Sequence, residues 1–437
     1  MLKKRWFLIG GVVVTGLALA LLFLTQYQGG MGSMIYKKVD FDIPTENVKK
    51  VVLDNGMSVI VFKNKHVPKV LVQIAYDIGT GIETAGERGL AHLIEHMIFK
   101  GTNKLAEGDI DGIARKYGAN FNAFTGYDVT SYYFETNSSN WQPFVGILAD
   151  CMQNSRFEGE HLASELKAVI QEMRMQRDNF MWVMFDKALS NLYPSNHPYN
   201  HPLVGFKEDL VDLKSEDLKN FYKRYYHPGK ATLFIVGDVD EDEAISLAKK
   251  HFEPIPAATE EQKKIGQPVF PKPFEFATSE SRVFENVAKE QLCCYWRIPG
   301  LKELSNEIPT VAAGVLGEGE GSLLYKRLVD EEQVAVSVGV APYQFFGDGV
   351  LCIIIDPKDG CSDKCKALVQ EELKKVIKQG VSDFALNKIV RAEERAFLKL
   401  FENTSSLVYE WISSYFTTGK ELELFNYLKK LQDVDSS

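Results

Sequence analysis

Two histidines and a glutamate in the segment GLAHLIEHMIFKGT, residues 89–102, have the types and spacing that suit metal-assisted hydrolysis. Wound as a helix, Leu90, Leu93, Ile94 and Met97 fall at i, i+3, i+4 and i+7 and make one apolar face. His92, Glu95 and His96 fall on another. Imidazoles four residues apart stand one turn above each other, so both can reach a single ion. Glu95 projects beside them, where a carboxylate can take a proton from metal-held water. The order is H-x-x-E-H. A solvated polar helix face would carry the same residue types, so the reading depends on a third ligand elsewhere in the chain.

The segment HLASELKAVIQEMRMQRD, residues 161–178, offers one. Its apolar stripe is Leu162, Leu166, Val169 and Met173, and Glu165 and Glu172 fall close to that stripe two turns from each other. A carboxylate turned toward a core is costly unless it is paired or bound to metal. Salt bridges to Arg156, Lys167 or Arg174 are the plain alternative.

These two helices need a scaffold. VVLDNGMSVIVF predicts a hairpin, because Asn55-Gly56 tolerates positive φ between two β-rich stretches. A third strand is expected over 69–78, and a pair around Asn122 to Glu135, where β-branched and aromatic residues dominate. Helices are expected over 140–153, 158–178 and 215–226, then a buried strand in ATLFIVGDVD. Strand runs and helix runs cluster rather than alternate, so the fold class is α+β. A proline-rich stretch after His251 predicts a linker. The second half repeats the order of the first in outline, without the H-x-x-E-H motif. The expected division is 1–33, an N-terminal membrane segment; 34–255, the metal-binding domain; 256–280, the linker; and 281–437, the second domain.

HLIEH followed by Glu172 within ELKAVIQE resembles the pitrilysin and mitochondrial-processing-peptidase family of zinc peptidases, the inverzincins. LDNGMSVIV, NAFTGYDVTSYYFE, HPLVGFKEDL and YYHPGKATLFIVGDVD resemble it too, so the likeness runs in order through most of residues 50–345. It implies two homologous domains, each a mainly antiparallel sheet covered by helices. It implies that His92, His96 and Glu172 hold one zinc ion per chain, that Glu95 is the general base and that Glu165 orients the site. It also implies that Asn122, Ala123 and Thr125 lie on an edge strand that takes an extended peptide as an added strand. The activity implied is zinc-dependent endopeptidase action on peptides or small unfolded polypeptides, with zinc-bound water as nucleophile. Two histidines and a glutamate also suit manganese or cobalt. A non-catalytic peptide-binding subunit for assembly or quality control is the alternative.

One departure bears on partners. The family's second half contributes an arginine and a tyrosine, and this chain has Val329 and Val336 where they are expected. The resemblance therefore implies the zinc-bearing subunit of a two-chain enzyme, with a homologous partner supplying the arginine–tyrosine pair; a homodimer is the runner-up. The loop GEGEGS does not fit a phosphate-binding G-x-G-x-x-G, and Glu318 and Glu320 would repel phosphate.

The formal net charge of −9 argues against a nucleic-acid partner. Lys3, Lys4 and Arg5 precede an uncharged run from Trp6 to Leu24, long enough as a helix to span a bilayer. The basic cluster would stay cytoplasmic, placing the remaining chain on the periplasmic side of an inner membrane. The only A-x-A, Ala18 to Ala20, lies inside the run, so an uncleaved anchor is the favoured reading and a cleaved signal the alternative. Of the six cysteines, Cys293 and Cys294 would point to opposite faces of a strand, and Cys361 and Cys365 would be neighbours on a helix.

Overall fold

The computed structural model describes residues 5–11, 38, 41, 43–265, 268, 270, 279–285 and 289–434, with the backbone alone at 5–11 and 279–285. Two sheets organise these residues.

The first has six strands: β2 (Val48–Val52), β3 (Ser58–Lys63), β4 (Lys69–Tyr76), β5 (Asn120–Thr125), β6 (Thr130–Asn137) and β7 (Ala231–Gly237), in the order β2-β3-β7-β4-β6-β5. The predicted hairpin joins β2 to β3. Gly56 there has φ +89°, and the Asn55 amide donates to the carbonyls of Phe252 and Ile255 at 2.7 and 3.0 Å. β3 runs parallel to β7, and the pairs β4–β6, β4–β7 and β5–β6 are antiparallel. β5 is the edge strand at one end of the sheet.

Both faces of this sheet are covered, which explains the unbroken apolar runs in its central strands. Val59 and Val61 of β3 join the core formed with α1 (Leu90–Met97), α3 (Gln142–Asn154) and α4 (Gly159–Asp178). Ile60 and Phe62 point to the other face, into a core built from the end of the chain. That cover consists of α10 (Asp383–Leu400) and α11 (Thr404–Thr418), with Val390, Phe397, Val408 and Trp411 buried against the strands. The Trp411 ring lies 5.8 Å from Phe62 and 5.0 Å from Phe425.

The second sheet has the order β10-β11-β9-β1-β8, made of β1 (Arg5–Gly11), β8 (Ser279–Glu285), β9 (Leu292–Ile298), β10 (Ala335–Gln344) and β11 (Gly349–Pro357). α5 (Phe180–Leu192) from the first half covers one face, packing Met184, Ala188 and Leu189 against Cys293, Tyr295 and Val350. α9 (Ser362–Gln379) covers the other. The halves thus exchange helices. Polar contacts join them as well: Asp128 accepts from the Tyr199 hydroxyl at 2.8 Å and from the Phe346 amide at 2.9 Å.

The strand and helix expectations of the first half are met to within a few residues. The N-terminus differs. A helix is expected from Trp6, but Arg5–Gly11 form a strand paired with β8 and β9. An uncharged run of bulky apolar residues and glycine satisfies a buried strand as readily as a membrane helix, and periodicity does not separate the two. The remainder of the expected span, from residue 12 to Leu24, lies outside the described residues. Among the described residues no helix is long and apolar enough to cross a membrane.

Candidate metal centre

The site begins with α1. Gly89 precedes it at φ +96°, and a Cβ there would lie 2.7 Å from the Val204 carbonyl oxygen, so only glycine lets the loop around Val204 and Gly205 pack this closely. Glu83 closes the helix start: its carboxylate accepts from the amides of Gly89 and Ala91, each at 2.7 Å. That satisfies donors a first turn would leave unpaired. Nothing in the sequence pattern marked Glu83 except its position shortly before the helix.

Leu90, Leu93, Ile94 and Met97 are buried as expected, and His92 is buried with them at 6% exposure. His92 and His96 stand one turn apart, with ring centroids 4.7 Å from each other. α4 brings Glu172 to both: its Oε2 lies 3.5 Å from His92 Nε2 and 3.7 Å from His96 Nε2. Ligand atoms of the three residues all lie within 4.8 Å of one another. These separations are too long for good hydrogen bonds. They match the roughly 3.4 Å between ligand atoms around a tetrahedral zinc ion with bonds of ~2.05 Å. Burial lowers the His92 pKa to about 3, with the neighbouring His96 adding to the effect, so its imidazole is neutral and available as a donor at ordinary pH. Chemistry and spacing both fit a divalent zinc ion.

Glu165 sits one layer out. Its Oε2 lies 3.1 Å from His96 Nδ1, and its Oε1 pairs with Lys100 at 2.7 Å. A proton on Nδ1 donated to Glu165 leaves His96 Nε2 unprotonated and aimed at the centre. Burial works against the Glu165 charge, but Lys100 and His96 outweigh it and hold the carboxyl below its ordinary range. Arg156 and Arg174, the alternative partners, pair instead with Glu158 and Gln171. Gln176 donates to Glu172 Oε1 at 3.2 Å. Lys100 and Gln176 were not anticipated; Lys100 falls at i+4 from His96, the one signal available.

Glu95 is turned toward β5, where the Thr125 hydroxyl donates to its Oε2 at 2.5 Å. Burial raises the Glu95 pKa, partly offset by Thr125 and His96. Of the expected peptide-binding residues, Asn122 is exposed on β5 with its side chain accepting from the Ala123 amide at 2.9 Å. Ala123 packs against the core beneath α1. Thr125 is therefore committed to Glu95, a contact that strand pattern alone did not reveal. From β5 a cavity of about 570 Å³ opens between the halves, with Phe124, Trp182, Phe185, Tyr343 and Tyr409 in its wall. Val329 is partly buried against the core between α9 and the second sheet, and Val336 is 61% exposed on β10. Arg327, the arginine nearest the expected position, pairs with Glu332 at 2.9 Å.

Two family models match the chain. One, described as insulinase (peptidase family M16), matches residues 59–205, which include every residue of the centre. The other, described as the peptidase M16 inactive domain, matches residues 212–393. The chain belongs to peptidase family M16. Among the M16 relatives, the zinc protease PqqE of Helicobacter pylori is 27% identical over 394 residues, covering 89% of this chain and 88% of the relative. A probable mitochondrial-processing peptidase subunit beta of Arabidopsis thaliana is 23% identical over 395 residues, covering 88% of this chain and 73% of the relative. Among solved structures, a protease from Helicobacter pylori superposes with TM-score 0.79 at 24% identity, covering 89% of this chain and 94% of the other. The periplasmic protease PqqL from Escherichia coli gives TM-score 0.68 at 18% identity, covering 89% of this chain and 45% of PqqL. These likenesses carry the fold.

Proposed function

We propose that this chain is a zinc-dependent endopeptidase acting on peptides or small unfolded polypeptides. The observation that carries the reading is the convergence of His92 Nε2, His96 Nε2 and a Glu172 oxygen, with the Glu95 carboxylate alongside. In this reading His92, His96 and Glu172 hold one zinc ion. Bound there, zinc supplies Lewis acidity, lowering the pKa of water toward ~7 and polarising a carbonyl.

The protein's own groups supply the rest. Glu95 takes the proton of the attacking water on Oε1, because Thr125 holds Oε2. Its burial-raised pKa brings proton affinity closer to neutral pH, where a general base works best. The same carboxyl then returns the proton to the leaving amine. Glu165 and Lys100 fix the His96 tautomer. An extended peptide pairs with the free edge of β5 at Asn122 and Ala123, and the cavity beside Phe124 takes a bulky apolar side chain of that peptide.

The chain works as the zinc-bearing subunit of a two-chain enzyme, with a homologous partner supplying an arginine and a tyrosine. The valines at 329 and 336 support this, as do relatives named as processing-peptidase subunits. It acts outside the cytoplasm, at the periplasmic side of an inner membrane. Support comes from the periplasmic PqqL relative. N-terminal sequencing of exported protein decides whether the uncharged run from Trp6 to Leu24 stays on the chain.

The test is metal content and cleavage of a peptide library, for the parent chain and Glu95→Gln, with and without the homologous subunit. One zinc per chain with Glu95-dependent cleavage only in the presence of the partner is the expected result. Cleavage by the chain alone would remove the two-chain reading. Absence of bound metal in both preparations would overturn the centre and favour a non-catalytic peptide-binding subunit.

A further inference from the structure

The described cysteines are all free thiols, five of them buried. One pair stands apart. The Sγ atoms of Cys293 on β9 and Cys352 on β11 lie 3.1 Å from each other. In the antiparallel register Cys293 opposes Ile354 and Tyr295 opposes Cys352, so the two cysteines are diagonal neighbours on one face of the sheet. Cys294 turns to the opposite face, into the core with Trp296 and Leu368. Unbonded heavy atoms of this size touch at roughly 3.6 Å. The two sulfurs are already inside that distance and need to close by only about 1 Å to reach a disulfide bond length.

The other cysteines offer no such pair. Cys361 and Cys365, expected as helical neighbours, are directed to separate carbonyls: Cys361 Sγ to Asp359 at 3.8 Å and Cys365 Sγ to Val334 at 3.5 Å. Cys151 is buried in the first core. Access also distinguishes the close pair. Both Cys293 and Cys352 border the cavity between the halves, at 1% and 7% exposure, so the cavity is the side from which a reagent approaches them.

We infer that Cys293 and Cys352 are a disulfide site, closed when the chain meets an oxidising disulfide and opened in a reducing compartment. With glutathione disulfide as oxidant, the thiolate of one cysteine attacks a glutathione sulfur and expels one glutathione thiolate. The second cysteine then attacks the mixed disulfide and expels the other. Two protons leave the protein, and the two electrons reside on the reduced glutathione. Cys352 and burial together hold the Cys293 thiol far above the ordinary thiol range, so closure in the folded protein is slow and favoured by alkaline pH. The bond would tie β9 to β11 and close a loop whose ends are 59 residues apart. It would restrict the unfolded chain and fix the wall of the cavity. This inference is independent of the peptidase reading.

The full-length protein would be incubated at alkaline pH with glutathione disulfide or with dithiothreitol, then denatured, alkylated and digested. The expected result is a crosslinked peptide containing Cys293 and Cys352, about 2 Da lighter than the two thiol peptides together, in the oxidised sample only. The other four cysteines should be alkylated in both samples. Oxidised protein should melt roughly 5 °C higher than reduced protein, a difference absent from Cys352→Ser. Complete alkylation of Cys293 and Cys352 after oxidation would overturn the inference. Because the crosslink is read on the unaltered chain, the result stands even if Cys352→Ser fails to fold.

Discussion

The hydroxyl of Thr125 donates to Oε2 of Glu95 at 2.5 Å, tying the edge strand of the first sheet to the carboxylate beside the metal-ligand cluster. One contact therefore couples the surface on which a peptide would lie to the group that would move the proton. Thr125→Ala should lower kcat by roughly 10- to 100-fold, the loss expected for one hydrogen bond to a charged group. KM for short peptides should change little, and Thr125→Ser should recover most of the rate. An equal loss in the serine variant would show that the methyl group, not the hydroxyl, matters.

Glu95→Gln keeps the shape and the contact to Thr125 but removes the base. Turnover should fall by about 10²- to 10⁴-fold, while metal content stays at the parent level. Peptide kinetics and elemental analysis on the same preparation check both halves of this expectation.

Glu165 and Lys100 should govern metal affinity more than chemistry. Glu165→Gln or Lys100→Met weakens the hold on His96 Nδ1 and should raise the zinc dissociation constant by roughly 10- to 100-fold. Competition with a chelator of known affinity reads this directly.

The metal-free protein should be acid-labile. Burial lowers the folded-state pKa of His92 from 6.5 to about 3, so the native state resists the proton that the unfolded chain accepts. The stabilisation is fully present above pH 6.5 and is lost progressively as pH falls toward 3. Between pH 6.5 and 5 this one histidine should cost about 2 kcal/mol. Urea titrations of chelated protein should show the slope, and His92→Gln should flatten it.

Cleavage should favour peptides with a bulky apolar residue beside the scissile bond. Trp182→Ala enlarges the cavity next to β5 and should reduce kcat/KM for such peptides by roughly tenfold while sparing peptides with small residues there. Profiling both forms against one library compares the two classes within a single measurement.

The cluster of His92, His96 and Glu172 was legible in part because helical period converts spacing into direction, and in part because the family resemblance pointed to Glu172 as its third member. His92 and His96 align at i and i+4, and Glu172 lies near the apolar stripe that docks α4 against the core. The hairpin at Asn55-Gly56 was legible because its conformation is local. Thr125, Lys100 and Glu83 were harder to assign because their roles depend on contacts across elements that no periodicity encodes. The segment 326–331 winds as a π-helix, one extra residue per turn, so counting along it blurs the position at which an arginine or tyrosine is expected. The apolar N-terminal run stayed ambiguous for the opposite reason: its composition satisfies two structures equally, and beyond Gly11 it lies outside the described residues.

The exchange of helices between the halves also sets an order of assembly. A chain emerging from its N-terminus carries His92, His96 and Glu172 early, yet the outer face of β3, β4 and β7 stays bare until α10 and α11 arrive, among the last described residues. A chain present only as far as β9 therefore has His92, His96 and Glu172 and all six strands of the first sheet, but not the helices that cover its far face. The first half thus depends on the second for its buried face: separating the two would expose Ile60, Phe62, Leu71 and Phe234 to water rather than release an intact domain.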